Sequence, residues 1–328
     1  MPERTPPAVT VIIPARNEER YIEACVRSCL AQHVEGGVEV VVADGRSHDR
    51  TRELAERSGA RVIDNEAQTI PAGLNKALDA AAGTFVIRFD AHALMPPGYI
   101  DACLEALKAP QVVNAGGWRK VESSGPWGRA VAGALASRAG VGNRRIWVQP
   151  EPAQAPLSVD TVPLGAWRSE TLRAAAGWDE ELLANEDFEL NHRLRERGGT
   201  ILFDPRIWSI YRPRESAGAV ASQYWRYGWW KAAMLARNPA SIKPRQLATV
   251  ALLTVVVGSF FSRDARLALV VYGAGLVVVT VRARSGWRVA PTLATMHLAW
   301  GAGFVAGLFR VGRRSRALSA KSRASATG

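Results

Sequence analysis

The sequence has few cysteines, and they are not arranged to bind a metal or to form a disulfide framework. Its three cysteines, Cys25, Cys29 and Cys103, include no CxxC pair and no cluster with histidine. The amino terminus, MPERTPPAVT, lacks an apolar signal core. We therefore expect reduced cysteines in the core of a cytosolic domain that is not secreted.

Two other features are scarce: phosphate-binding loops of the common kinds and acidic residues near the carboxyl terminus. No GxGxxG or Walker sequence occurs, so a dinucleotide-binding or P-loop protein lacks support. After Arg245 there are eleven Lys and Arg residues against one acid, Asp264. These basic groups flank apolar segments, which indicates contact with a membrane surface. A nucleic-acid binder would instead carry its basic groups as a stripe over the folded domain.

Apolar strands alternate with helices over the first hundred residues. The predicted strands are 9–14, 38–44, 60–65 and 84–91, and the predicted helices are 18–32, 48–59 and 71–83. Continuous apolar strands between helices indicate an α/β fold with a mostly parallel sheet covered on both faces. Ligands bind such sheets outside the carboxyl ends of the strands.

The composition changes in the last third of the chain. Three uncharged apolar runs, 246–261, 267–281 and 289–309, are bounded by arginines and read as membrane-spanning helices, although the first two are short for a hydrocarbon core of about 30 Å. We predict a catalytic domain over 1–215, an amphipathic interfacial segment over 216–245, the spans over 246–309 and a basic tail over 310–328. Buried core helices are the alternative interpretation of the apolar runs.

Acidic residues mark the ends of two predicted strands. Asp44 ends one strand, and Asp90 ends another with His92 two residues later. In an extended segment both side chains of the second pair project to one side, where a carboxylate and an imidazole suit a divalent ion of the manganese type. Asp44 could accept hydrogen bonds from a base or a ribose, or could simply form an Asp-Gly turn.

Two helical segments carry further candidates. Glu186 and Asp187 begin a predicted helix over 185–199, where acids either complement the helix dipole or take a proton from an attacking hydroxyl. Gln223 and Arg226 lie three apart on one helical face, and the arginine could hold a pyrophosphate. The tryptophans around them, including Trp229, fit an aromatic belt at the level of lipid headgroups.

Taken in order, these motifs resemble the family 2 inverting glycosyltransferases of the GT-A fold. The ordered set is PxxNE, an Asp-Gly strand end, a DxD-like strand end, Glu-Asp on a helix, QxxRW-like aromatics and membrane spans, and it covers roughly residues 8–240. The segments DAHA, VPLGAWR and QYWRYGWWK are especially similar to the succinoglycan-type exopolysaccharide glycosyltransferases. His92 stands where the family has a second acid, and Tyr227 stands where tryptophan is expected.

The resemblance implies a role for each matching residue. The nucleotide pocket would be lined by Pro14, Arg16, Glu18, Asp44 and Asp90. Asp90 and His92 would hold a divalent cation, Mn²⁺ or Mg²⁺. Asp187, beside Glu186, would be the general base. The acceptor and the diphosphate would be held by Gln223, Arg226 and Trp229.

The expected function is transfer of a sugar, with inversion, from a nucleotide-diphospho-sugar such as a UDP-sugar to a polyprenyl-linked acceptor in exopolysaccharide or envelope glycan synthesis. The expected place is the bacterial inner membrane, with several crossings and the catalytic domain in the cytoplasm. A polyprenyl-monophosphate glycosyltransferase is an alternative, because its acceptor phosphate needs no strong base. A non-catalytic membrane-anchored binding or export protein is an alternative of another class.

Overall fold

The computed structural model describes residues 7–123, 125–140, 144–151, 153–237 and 239–325. Over these residues the chain forms eight strands and eleven α-helices. The strands are Val9–Ala15 (β1), Val38–Asp44 (β2), Arg61–Asp64 (β3), Phe85–Arg88 (β4), Val112–Val121 (β5), Leu157–Ser158 (β6), Ala166–Arg168 (β7) and Thr200–Tyr211 (β8). The helices are Ile22–Leu30 (α1), Thr51–Arg57 (α2), Ile70–Ala80 (α3), Tyr99–Leu107 (α4), Pro126–Ala136 (α5), Ser169–Ala174 (α6), Glu186–Glu196 (α7), Ala217–Arg237 (α8), Pro244–Gly258 (α9), Arg263–Ala283 (α10) and Val289–Ser325 (α11).

The chain divides into two compact units. The first unit contains Met1–Glu122 and Arg145–Arg212, and the second contains Ser123–Arg144 and Pro213–Gly328. The boundary at Arg212 lies three residues from the one predicted at 215. The segment 123–144 differs from that prediction, because it groups with the carboxyl-terminal helices instead of the sheet.

The first unit is built on one mixed sheet with the strand order β3-β2-β1-β4-β7-β5-β8-β6. Strands β1 to β4 pair in parallel, as the alternating pattern predicted. The sheet becomes mixed because β7 enters antiparallel between β4 and β5. The chain leaves β1 towards β2 on one side and later returns to β4 on the other, so a topological switch point lies between β1 and β4.

Alternation along β1 sends side chains into a core on each face of the sheet. Val9, Val11 and Ile13 pack into one core with α1 and α4, and Ile12 packs into the other with α3 and α7. Cys25, Cys29 and Cys103 are free and buried in the first core, as expected of core residues. Burial raises the pKa of the Cys103 thiol, so it stays protonated and unreactive.

The second unit consists of helices. Within the part of the chain that the structure describes, two helical segments, Arg263–Ala283 and Val289–Arg310 within α11, are long and apolar enough to cross a membrane, whereas α9 has only 15 residues. Only 6% of the apolar window of α10 is buried, which does not suit a core helix, while 44% of the α11 window is buried. Part of that burial is against α8, where a Cβ at Gly303 would collide with the backbone carbonyl of Trp225.

We predict that Gly117→Ala prevents normal folding of the first unit. A Cβ there would overlap the backbone carbonyl oxygens of Ile207 and Asp204, and backbone atoms of a paired strand cannot move aside. We expect a loss of about 1–3 kcal/mol or more in the free energy of unfolding, measured by denaturant titration. Gly218→Ala is the control, because a Cβ at Gly218 meets no atom within 4 Å. Equal stability of the two variants would contradict the prediction.

Candidate active site

Three predicted residues lie at or just after the carboxyl ends of neighbouring strands. Ala15 of β1 pairs with Asp44 of β2, so Pro14 and Asp44 lie at neighbouring strand ends. On the other side of β1, the N–H of Phe89 donates to the Ile12 carbonyl at 2.9 Å, which places Asp90 beside the end of β1. The carboxyl ends of β1, β2 and β4 therefore present Pro14, Asp44 and Asp90 along the same edge, at the switch point.

The loop after β1 is hydrogen-bonded to the loop after β2. Asn17 N–H donates to Ser47 Oγ at 3.0 Å, and His48 N–H donates to Asn17 Oδ1 at 2.9 Å. The N–H of Glu18 donates to Thr51 Oγ1 at 2.7 Å. These bonds fix the backbone of the segment that carries Arg16 and Glu18, two of the predicted nucleotide-pocket residues.

Asp44 is buried and is used by its own loop. Ser47 Oγ donates to its Oδ1 at 2.6 Å, and Ser47 N–H lies 3.3 Å from Oδ2. Arg52 Nε lies 3.6 Å from Oδ2. The Asp44 carboxylate thus binds the backbone and the side chain of the loop that follows β2.

A buried arginine, Arg88, joins the acids of the site. Its Nη1 contacts Asp187 Oδ1 and lies 3.1 Å from Glu186 Oε1, and its Nη2 lies 3.6 Å from Asp90 Oδ1. Burial alone would lower the pKa of Arg88, but the carboxylates of Asp187, Glu186 and Asp90 raise it above its ordinary value. A permanent positive charge therefore holds the end of β4 against the start of α7, and it brings Asp90 and Asp187 to one place.

Of the two acids that begin α7, Asp187 is the more accessible. Its side chain is 23% exposed, against 9% for Glu186. Burial raises the pKa of Glu186, and neighbouring Asp187 raises it further against the opposing effect of Arg88. Trp178 Nε1 donates to Asp187 Oδ1 at 3.0 Å, and the backbone of Trp178 is held at both its N–H and its carbonyl by Asn75. Asp187 is thus oriented on two sides and still reachable from solvent.

Asp90 also contacts Arg119, near the end of β5. Arg119 Nη2 lies 3.3 Å from Asp90 Oδ2. Burial would raise the pKa of Asp90, but the guanidinium groups of Arg119 and Arg88, together with His92, lower it below its usual value. Asp90 therefore stays a carboxylate.

His92 is paired with another predicted residue. Its Nδ1 lies 3.2 Å from Glu18 Oε1. Asp90 and His92 offer the carboxylate and imidazole that suit a manganese-type ion. Among the residues that the structure describes, no group of three or more His, Cys, Asp or Glu is placed to hold a metal. Ala91 and His92 lie in a turn in which Ala93 N–H donates to the Asp90 carbonyl at 2.9 Å, so the extended geometry expected for Asp90 and His92 is not found. A cation at this pair would need further ligands, such as a bound diphosphate and water.

The predicted acceptor residues lie on α8 in the second unit. Gln223 Nε2 donates to the Tyr227 hydroxyl at 2.9 Å. Arg226 is exposed and Trp229 is half-buried. Arg310 Cζ lies 5.7 Å from the ring centroid of Trp229. Gln223 and Arg226 share a helix with an aromatic surface, as expected.

Sequence reasoning missed Arg88, Arg119 and Trp178. A signal for Arg88 was present, because a charged residue inside an apolar strand must find an ionic partner when the strand is buried. Arg119 had no comparable signal, since it follows two glycines and a tryptophan that show no strand period.

Comparison with known proteins identifies the class. Residues 10–150 match the family described as Glycosyl transferase family 2. The chain carries a domain of this family on a GT-A fold with a mixed sheet, and it is a glycosyltransferase. The recognition made from the motifs is confirmed.

Particular relatives agree with this class. The chain is 28% identical to the succinoglycan biosynthesis protein ExoA of Rhizobium meliloti, over 95% of this chain and 98% of the relative. It is 24% identical, over 70% of this chain and 74% of the relative, to a dolichyl N-acetyl-alpha-D-glucosaminyl phosphate 3-beta-D-2,3-diacetamido-2,3-dideoxy-beta-D-glucuronosyltransferase of Methanococcus voltae. These homologues are glycosyltransferases of exopolysaccharide and lipid-linked glycan synthesis, which disfavours the non-catalytic alternative.

Solved structures show the same fold. A mannosyltransferase from Pyrobaculum calidifontis, in complex with GDP-Man and Mn²⁺, superimposes with a TM-score of 0.65 at 20% identity, over 93% of this chain and 88% of that chain. S. aureus TarS in complex with UDP-GlcNAc gives a TM-score of 0.51 at 17% identity, over 93% and 92%.

We predict that Arg88→Met strongly destabilises the first unit. Without the guanidinium, Glu186 and Asp187 lose the cation between them, and Asp90 keeps only its contact with Arg119. Removing one partner of such a cluster costs about 3–5 kcal/mol, measurable as a fall in the denaturation midpoint. Arg27→Met is the control, because Arg27 pairs with Glu23 at a surface position where its side chain is 68% exposed, and it should change stability little. Similar effects of the two substitutions would refute a central role for Arg88.

Proposed function

We propose that the protein transfers a sugar from a nucleotide-diphospho-sugar to a lipid-linked acceptor, with inversion at the anomeric carbon. The observation that carries this proposal is the contact of Arg88 with both Asp90 and Asp187. Through Arg88, Asp90, which is expected at the donor, lies close to Asp187, which is expected to be the base. Both lie at the carboxyl ends of the strands, where ligands bind such sheets. A UDP-sugar is the first donor to test.

The donor is proposed to lie across the ends of β1, β2 and β4. Asp44 accepts a hydrogen bond from the base or the ribose, and Pro14, Arg16 and Glu18 line the pocket. The hydrogen bonds between the two loops hold these residues in place before the donor arrives, so little ordering is needed on binding.

Asp187 is proposed to take the proton from the acceptor hydroxyl. The oxygen then attacks the anomeric carbon from the side opposite the nucleoside diphosphate, which leaves with the bonding electron pair. Arg88 and Trp178 fix the orientation of the carboxylate, so the proton acceptor is already positioned for the attack. Glu186 is the more buried acid, and it helps to hold Arg88 in place through their ion pair.

Asp90 and His92 are proposed to hold a divalent cation, Mn²⁺ or Mg²⁺. When bound, the cation supplies positive charge against the diphosphate of the donor and of the leaving group. The solved mannosyltransferase of similar fold was obtained with GDP-Man and Mn²⁺, which supports this assignment by analogy.

The acceptor is proposed to carry a polyprenyl diphosphate and to approach from a membrane. Arg226 is exposed on α8 and free to reach solvent anions, with Gln223 and Trp229 on the same helix. The largely exposed apolar surface of α10 supports a bilayer environment, as do basic residues that flank the apolar helices. We propose a place in the inner membrane of a bacterium with the catalytic unit on the cytoplasmic side, and with α10 and the apolar part of α11 as the candidate crossings.

We predict that Asp187→Asn keeps the fold and donor binding but lowers turnover about 10²–10⁴-fold, because the amide cannot accept the proton. Glu189→Gln is the control on the same helical turn, since Glu189 pairs with Arg193 and not with Arg88. The measurement is transfer of labelled sugar to a lipid acceptor, beside calorimetric binding of the nucleotide. Turnover retained in a folded Asp187→Asn protein would exclude Asp187 as the base.

We predict that Arg226→Gln raises the KM for a diphosphate-linked acceptor by about tenfold, which corresponds to 1.4 kcal/mol, and leaves nucleotide binding unchanged. Arg263→Gln, at the start of α10, removes the same charge from another helix and serves as the control. Parallel assays with polyprenyl phosphate as acceptor separate the proposed reaction from the polyprenyl-monophosphate alternative. An unchanged acceptor KM would remove Arg226 from the acceptor site.

A further inference from the structure

Arg119 and Arg88 occupy both oxygens of the Asp90 carboxylate. Its Nη2 lies 3.3 Å from Asp90 Oδ2, while Arg88 Nη2 approaches the other oxygen, Oδ1, at 3.6 Å. Both oxygens of the carboxylate expected to bind a cation are therefore already opposite a guanidinium. A divalent ion that bound Asp90 in this arrangement would lie next to two positive charges.

The two arginines differ in how firmly they are held. Arg88 is bound by three carboxylates and is buried at 8% exposure of its side chain. Among the described residues, Arg119 has one ion pair, with Asp90, and its buried Nε has no hydrogen-bond partner. Arg119 can leave Asp90 at the expense of one ion pair, whereas Arg88 cannot move without releasing the base as well.

Aromatic rings provide a second place for the Arg119 guanidinium. Its Cζ lies 5.3 Å from the ring centroid of Tyr211 and 5.8 Å from that of Trp147. Such rings stabilise a guanidinium without neutralising it. The positive charge can therefore remain at the site when its contact with Asp90 is broken.

We propose that Arg119 is the resident counter-ion of Asp90 and competes with the divalent cation for this carboxylate. It is a positioning residue: it occupies Asp90 while the cation is absent, and it gives up Asp90 when the cation binds. The competition keeps the affinity for the cation alone low, so that the cation binds well only together with the donor diphosphate. This inference rests on the donor site proposed above.

The test measures Mn²⁺ binding to the purified full-length protein in the absence of donor, by the loss of the free-ion signal in electron paramagnetic resonance. We expect Arg119→Met to lower the Kd for Mn²⁺ by about tenfold or more, because an opposing charge is removed. Arg119→Lys, which keeps the charge, should stay close to the unmodified protein. Arg20→Met is the control for net charge, because Arg20 is exposed and lies over Tyr21 instead of contacting Asp90. Thermal unfolding establishes that each variant is folded.

Asp90→Asn separates this site from other Mn²⁺ sites. Combined with Arg119→Met, it should abolish the tighter binding. An Mn²⁺ affinity that is unchanged or weaker in folded Arg119→Met, or a gain that survives Asp90→Asn, overturns the inference. Calorimetry with a UDP-sugar and Mn²⁺ distinguishes failure of this inference from failure of the proposed function. If the donor binds but Arg119→Met leaves the Mn²⁺ affinity unchanged, only the role of Arg119 is refuted. If the unmodified protein binds no nucleotide sugar, the donor site itself is refuted.

Discussion

The site depends on a guanidinium buried among three carboxylates. An arginine inside an apolar strand costs free energy unless ion pairs replace its hydration, and Arg88 is matched by Asp90, Glu186 and Asp187. The same ion pairs connect β4 to the start of α7, nearly a hundred residues later in the chain. The ion pairs that allow Arg88 to be buried in β4 therefore also set the distance between Asp90 and Asp187.

Alternating strands and helices, and acids at strand ends, could be predicted because they follow local rules. An apolar strand that stops at a polar residue is visible in the sequence, so the placement of Asp44 and Asp90 at one edge followed from the periodicity alone. The partner of Arg88 could not be found in this way. Nothing local to FVIRFDA indicates that its charge is matched by residues that begin a helix near position 186.

The least predictable region was the stretch after Gly117. Arg119 lies in β5, which continues to Val121 and pairs with β8, but the glycines before it and the tryptophan beside it gave no strand period. The helix α5 was missed because it is built largely from alanine and glycine, whose small side chains carry a weak apolar period. Mixed pairing by β7 was also hidden, since three residues are too few to show a direction.

The segment 123–144 has a practical consequence for the way the molecule can be divided. Within the second unit, a Cβ at Gly133 of α5 would touch Ser285 and Val289, and His297 Nε2 lies 2.8 Å from the Ala139 carbonyl oxygen. A shortened protein ending near residue 215 would keep α5 but lose every one of these neighbours. The small apolar side chains of α5 would then face water. A soluble fragment of the first unit should therefore lack the segment 123–144, with the chain rejoined across the gap, as well as the carboxyl-terminal helices.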